Sequence, residues 1–183
     1  CHNINFVTPS HVVPQILQGL FIAIERGLKV PLVYNTGGYD KVETLKILEN
    51  VFDIYMPDFK FWEARWSEKF CKAPDYRKIA TAAIKEMHRQ VGDLLIDESG
   101  IAEKGLLVRH LVMPNDVSNT GEVMTFLADK ISEDTYVNVM DQYHPCGKVF
   151  GDTTINRRIT RNEYISALRS AKEAGLHRLD SWI

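Results

Sequence analysis

The sequence predicts an α/β domain, with a parallel sheet wound as a TIM-like (β/α) wheel, partial or complete, in a single domain over residues 1–183. Three observations carry this. Short β-type runs alternate with longer segments of helical periodicity, the pattern of parallel strands joined by helical crossovers. The strand bodies are apolar, whereas the residues just after each body are polar or ionisable. No internal repeat, low-complexity run or linker interrupts the alternation. The regularity favours a barrel-like wheel, and a doubly wound open sheet is the alternative that pattern alone leaves.

Each element follows from local signals. Residues 4–8 are β-branched and aromatic enough for a first strand. Ser10 reads as an N-cap, Val13, Leu17, Leu20 and Ile24 recur at helical spacing, and Gly27 stops that helix. Residues 31–36 form the second strand. Asp40 and Glu43 resemble a capping pair, with Leu45 and Leu48 on the apolar side of the next helix. Residues 52–58 are the third strand.

From 62 to 91 the pattern is helical and broken near Pro74, with Ile79, Ala83, Met87 and Val91 on one face. Residues 94–101 suggest a small hairpin turning at Ser99-Gly100, and 106–113 a long fourth strand. Asn119 with Glu122 opens a helix carrying Val123, Leu127 and Ile131. Residues 136–140 are the fifth strand. Thr160 and Glu163 form a capping box, Leu168 and Ala171 pack, Gly175 ends the last helix, and 177–182 suggests a short sixth strand.

Bulk properties exclude several classes. A net charge of −2 gives no electrostatic case for nucleic acid or an anionic membrane as partner. No apolar run approaches the roughly 20 residues that span a bilayer. The three cysteines, Cys1, Cys71 and Cys146, are sparse and odd in number, which argues for a reducing, cytoplasmic compartment. No CxxC pair, HExxH or GxSxG motif is present. The chain starts at Cys1 and runs straight into a strand, so upstream sequence is expected to be missing.

In either parallel-sheet architecture, sites gather at the C-terminal ends of strands. There the chain carries Thr8-Pro9-Ser10-His11, Asn35-Thr36-Gly37-Gly38-Tyr39, Met56-Pro57-Asp58-Phe59-Lys60, Pro114-Asn115-Asp116 and Asp141-Gln142-Tyr143-His144. Asp58 and Lys60 share a strand parity, so both side chains can point one way. Such a pair holds a ribose hydroxyl or an amino-acid zwitterion, or is a surface salt bridge. Arg109 and His110 lie inside an apolar strand and face opposite sides, so at most one lines a barrel interior. Arg109 suits carboxylate recognition. Gly37-Gly38 either lets a ligand approach the backbone or makes a tight turn. His11 and His144 are candidate bases or ligands.

These strand ends also resemble a known family. The stretches 2–11 (HNINFVTPSH), 33–39 (VYNTGGY), 53–60 (DIYMPDFK), 105–114 (GLLVRHLVMP) and 136–140 (YVNVM), with Arg178-Leu179-Asp180, are similar in order to radical S-adenosylmethionine (radical SAM) proteins related to pyruvate formate-lyase activating enzyme. The resemblance implies a radical SAM partial (β/α) barrel. In the family, a CxxxCxxC loop after the first strand holds a [4Fe–4S] cluster. S-adenosylmethionine chelates the open iron and is cleaved reductively to a 5′-deoxyadenosyl radical. In activating enzymes the radical takes hydrogen from a glycine of a partner, a glycyl radical enzyme, with electrons from a donor protein.

Residue by residue, the resemblance puts Thr8, Pro9, Ser10 and His11 near the methionyl amino group, where many members carry Gly-Gly-Glu. It puts Asn35, Thr36, Met56 and Asp58 at a monovalent cation site, with Asn35 in place of an acid. It makes Lys60 a ribose or carboxylate contact, Arg109 a carboxylate-binding arginine and His144 a neighbour of the cofactor. The CxxxCxxC motif is absent, and Cys1 falls beyond the cluster loop. The expectation is therefore a chain lacking the first βα unit, with cluster ligands upstream of Cys1. Taken alone it is expected to be inert, because radical chemistry needs the cluster's electron. A degenerate binding module is the alternative. So is a non-radical lyase or aldolase using Lys60 as an amine, although the neighbouring Asp58 holds an ammonium. Removal of that unit also exposes an apolar edge at 4–8 that invites self-association.

Overall fold

The computed structural model describes residues 1–180. In chain order the elements are β1 (Ile4–Val7), α1 (Val13–Glu25), β2 (Leu32–Thr36), α2 (Val42–Ile47), β3 (Ile54–Pro57), α3 (Ala64–Cys71), α4 (Tyr76–Val91), β4 (Leu95–Ile96), β5 (Ala102–Leu111), α5 (Thr120–Lys130), β6 (Tyr136–Met140), α6 (Arg161–Glu173) and β7 (Leu179–Asp180). Short 3₁₀ turns follow β1, β5 and β6 at Pro9–His11, Pro114–Asp116 and Gly147–Gly151. Among the described residues the fold is thus a seven-stranded sheet with six α-helices. No described helix is long and apolar enough to cross a membrane.

The sheet order is β1-β2-β3-β5-β6-β7, with every neighbour in that path parallel, and β4 pairs antiparallel to β5 outside it. Strands are therefore added always on the same side, without the reversal of order that a doubly wound sheet needs. With right-handed crossovers, that order puts the helices on one face. The packing agrees. Leu32, Tyr34, Tyr55, Leu106, Val108, Val137 and Val139 join the core formed with Leu20, Leu45, Ile84, Met87, Val123, Leu127 and Leu168 of the helices. Alternate residues face the other way: Val33 and Ile54 pack with Leu94 in a second cluster, flanked by Met56, Ala102, Leu107 and Tyr136. The arrangement is compatible with a partial (β/α) barrel.

The alternation, the break before α4, the hairpin into β5 and the capping box of α6 are all present. In that box the Thr160 hydroxyl accepts from the Glu163 N–H, and the Glu163 carboxylate accepts from the Thr160 N–H. Gly27, at φ +89°, and Gly175, at φ +97°, follow the ends of α1 and α6 as expected. Gly105, at φ +120°, has a second reason: a Cβ there would lie 2.4 Å from the Asp93 carbonyl, so β5 passes the 92–94 segment with room for no side chain.

Two capping expectations are overturned. Val12, not Ser10, is the N-cap of α1, and Lys41, not Asp40, is that of α2, both without a side-chain cap. Ser10 and Asp40 instead bond each other at 2.5 Å. A tertiary partner outcompetes the local backbone for the same oxygen atoms. The third strand is shorter than expected and the fourth begins earlier, at Ala102, because the hairpin extends it. Of the expected strand at 177–182, residues 179–180 pair with β6, and 181–182 lie outside the described residues.

Candidate functional site

Strand register stacks the helix-free face into levels. Val7 pairs with Asn35 and Asn35 with Met56. One level nearer the C-terminal ends, Asp58 bridges to Arg109, Arg109 pairs with Asn138 and Asn138 with Asp180. Below them lies the apolar floor of Val33, Ile54 and Leu94. The sheet thus carries an apolar base and a polar row at the ends where parallel-sheet sites form.

Asp58 is the centre of that row. Its Oδ1 accepts from Arg109 Nε at 2.8 Å and lies 2.6 Å from Nη2, and its Oδ2 lies 2.5 Å from Lys60 Nζ. The Asp58 side chain is 12% exposed, against 26% for Arg109 and 32% for Lys60, so the acid is recessed and the two cations rim it. The shared parity of Asp58 and Lys60, and the opposite faces of Arg109 and His110, agree with this geometry. Both cations keep N–H groups for a further anion or hydroxyl.

Two features hold the strand ends in register. Gly38 sits at φ +77°, and a Cβ there would fall 2.3 Å from the Asp58 carbonyl oxygen. Only glycine lets the β2 loop lie so close over Asp58. Tyr76, the first residue of α4, puts its buried hydroxyl 2.9 Å from the Gly37 carbonyl and 3.0 Å from that of Asp58, and accepts from the Lys60 N–H at 3.0 Å. Burial raises the Tyr76 hydroxyl far above its ordinary pKa, so it stays a neutral donor. No local motif marks Tyr76, because its partners lie in the loops after β2 and β3.

His110 faces the helices. It is fully buried, with Nδ1 2.7 Å from the Phe59 carbonyl and Nε2 3.0 Å from the Thr120 hydroxyl. Burial lowers its pKa to about 4, so the ring is neutral: Nδ1–H donates to Phe59 and Nε2 accepts from Thr120. The packed, satisfied histidine is the reading that holds.

Thr36 also points to the helical side. Its hydroxyl donates to Asp40 at 2.6 Å and accepts from the Gly38 N–H at 3.3 Å. Tyr34 donates to the same carboxylate at 3.0 Å. Asp40 is 3% exposed and receives Ser10, Tyr34 and Thr36 hydroxyls, tying the turn after β1 to the loop after β2. This network had no sequence signal beyond the acid itself.

The remaining candidates are placed as follows. Asn35 is buried on the helix-free face, and its amide has no hydrogen-bond partner among the described residues. Met56 is beside it. Thr8, at φ +54°, and His11 are exposed, and Pro9 is buried. His144 is exposed, with Nδ1 3.4 Å from the Gln142 carbonyl. Asn138 and Asp180 complete the row and were missed as site residues. The signal for Asn138 was its polar side chain in the otherwise apolar 136–140 strand.

The chemistry of the row and the cavities do not coincide. A cavity of about 550 Å³ lies between α5, α6 and Trp62, on the helical side. Buried and charged groups converge instead at the strand-end row. Among the described residues no three His, Cys, Asp or Glu side chains converge as a metal site, and Cys1, Cys71 and Cys146 are each free and exposed.

The chain is similar to an uncharacterized protein of Methanocaldococcus jannaschii, 33% identical over 174 residues that make up 95% of this chain and 47% of that protein. The chain therefore spans about half the length of this curated relative. No family model matches the chain.

Proposed function

We propose that the strand-end row binds the polar portion of S-adenosylmethionine, and that the chain is the cofactor-cradling part of a radical SAM enzyme related to pyruvate formate-lyase activating enzyme. The observation that carries this reading is Asp58 held between Lys60 and Arg109, over an apolar floor, at the C-terminal edge of an unreversed parallel sheet. Two cations with N–H groups to spare suit the cofactor carboxylate and ribose, and the buried Asn35 amide adds a donor and an acceptor.

The donor set fits S-adenosylmethionine and does not fit a [4Fe–4S] cluster, since the described residues bring no three thiolates together. In this reading the cluster's ligands belong to a CxxxCxxC segment joined to the chain, and the cluster supplies the electron for reductive cleavage of the cofactor. The chain's own residues bind and orient. Arg109 and Lys60 take the negative and hydroxyl groups, Asp58 holds both cations in place, and the floor keeps water from beneath. The partner classes that follow are a protein or peptide substrate such as a glycyl radical enzyme, and a one-electron donor.

The test is anaerobic reconstitution, with iron and sulfide, of the protein carrying this chain and such a segment. The expected product is reductant-dependent 5′-deoxyadenosine, lowered by at least about tenfold in Arg109→Ala, the scale of a lost charged hydrogen bond. Absence of 5′-deoxyadenosine, or of any CxxxCxxC segment in the gene, overturns the radical reading.

A further inference from the structure

The polar row continues past Arg109 to Asn138 and Asp180, to which the resemblance gives no role and which the cofactor reading does not use. Asn138 Nδ2 donates to Asp180 Oδ2 at 3.2 Å. Asn138 Oδ1 and Asp180 Oδ1 have no partner among the described residues. Neither nearby cation bonds the pair: Arg109, beside Asn138 in register, engages Asp58, and the Arg178 guanidinium donates to the Leu94 carbonyl at 2.7 Å and the Asp134 carbonyl at 3.2 Å. Asp180 therefore forms no ion pair among the described residues. Backbone pairing already joins the two strands, with the Val137 N–H donating to the Arg178 carbonyl at 2.9 Å. The side-chain pair is not needed as a pin.

The row thus has opposite ends. On β3 and β5, two cations face outward around a recessed acid. On β6 and β7, two acceptor oxygens, one of them a carboxylate oxygen, have no donor among the described residues. Three strand spacings separate Asp58 from Asp180, about 14 Å along the sheet. That reach exceeds what a single amino-acid group fills.

We infer that Asn138 and Asp180 form a substrate subsite that takes a primary ammonium group, so that the second substrate at this site carries a basic nitrogen. An ammonium offers three donors and a positive charge to a carboxylate oxygen and an amide oxygen. The inference rests on the strand-end row being the ligand site. It assigns the half of the row to which the cofactor reading gives no role.

The test uses the isotope-labelled chain and three probes of equal carbon skeleton: propylammonium, propan-1-ol and propionate. The readout is the backbone amide signals of residues 136–140. Propylammonium shifts them saturably, and Asp180→Asn weakens that response about tenfold, the loss of one charge-assisted hydrogen bond. Asp180→Glu retains most of it, which separates the carboxylate's role from damage to the fold. An equal response to propan-1-ol, no saturable response to propylammonium, or an unchanged response in Asp180→Asn overturns the subsite. A parallel titration with S-adenosylmethionine reads the signals of Arg109 and Lys60. Failure there alone counts against the cofactor reading and leaves the ammonium subsite standing, so the two ideas fail separately.

Discussion

At Asp58 one recessed carboxylate organises two cations, and the two are not equivalent. Replacing Asp58 with Asn leaves Arg109 and Lys60 side by side without their anion. Removing one partner from a pair this buried is destabilising by about 3 kcal/mol. Lys60→Met removes a cation that is 32% exposed, so its cost is smaller, about 1 kcal/mol. Urea unfolding of the two variants checks the order, and Lys60→Met as the more damaging change would contradict the geometry.

His110 gives a pH signature. Its folded pKa is lowered to about 4 by burial, below the ordinary histidine value of 6.5. The unfolded chain therefore binds a proton that the folded chain refuses, between those two values. Stability is full above about pH 6.5 and falls by about 3 kcal/mol as pH drops through that window to about 4. In His110→Gln, chemical denaturation at stepped pH loses this slope while other acid-sensitive groups keep theirs.

Among the elements, the loops after β2 and β3 carry Gly38, Asp58 and Lys60, with the Asp58–Arg109 bridge the last sheet pairing that holds them. The Tyr76 hydroxyl bridges them from the first turn of α4. Tyr76→Phe leaves two carbonyls and an N–H short of a buried partner, an expected loss of about 1–3 kcal/mol. Because Lys60 is one of the residues held, the same variant weakens ligand binding at the row. A variant with lower stability and unchanged binding would make Tyr76 structural only.

The charged cluster was legible in sequence where it depends on period-two parity and side-chain chemistry: Asp58 and Lys60 share a parity, and Arg109 stood out beside His110 because arginine suits carboxylates. The site was not legible where partners come from separate segments. Asp40 and Ser10 have the chemistry of caps, but each finds a better partner across the turn, and only the assembled strand ends reveal it. The 160–163 box held because both its partners lie within one helical turn. Tyr76 and Asp180 were hidden for the same reason as Asp40: each acquires its role from a strand distant in sequence.

For the whole molecule, the open question is the sheet's first edge. β1 pairs with β2 on one side and with no other strand among the described residues. The Ile4 N–H donates to the Pro31 carbonyl at 2.9 Å and the Thr8 N–H to that of Asn35 at 2.8 Å. Strand alternation therefore aims the N–H groups of Asn5 and Val7 away from the sheet. On this edge strand Val7 is 67% exposed, and on α1 Phe21 and Ile24 are 67% and 62% exposed. An unpaired edge flanked by apolar side chains is a template for another strand. The chain on its own is thus expected to self-associate as its concentration rises. Asn5→Pro removes one outward N–H without breaking a β1–β2 hydrogen bond, and edge strands tolerate proline at such positions. Sedimentation velocity over a concentration series should show association in the parent chain and a shift toward monomer in Asn5→Pro. A parent chain monomeric throughout would mean that the edge is protected by its own twist and brevity. Association unchanged by the proline would place the contact elsewhere, with the exposed face of α1 the next to test through Phe21→Glu.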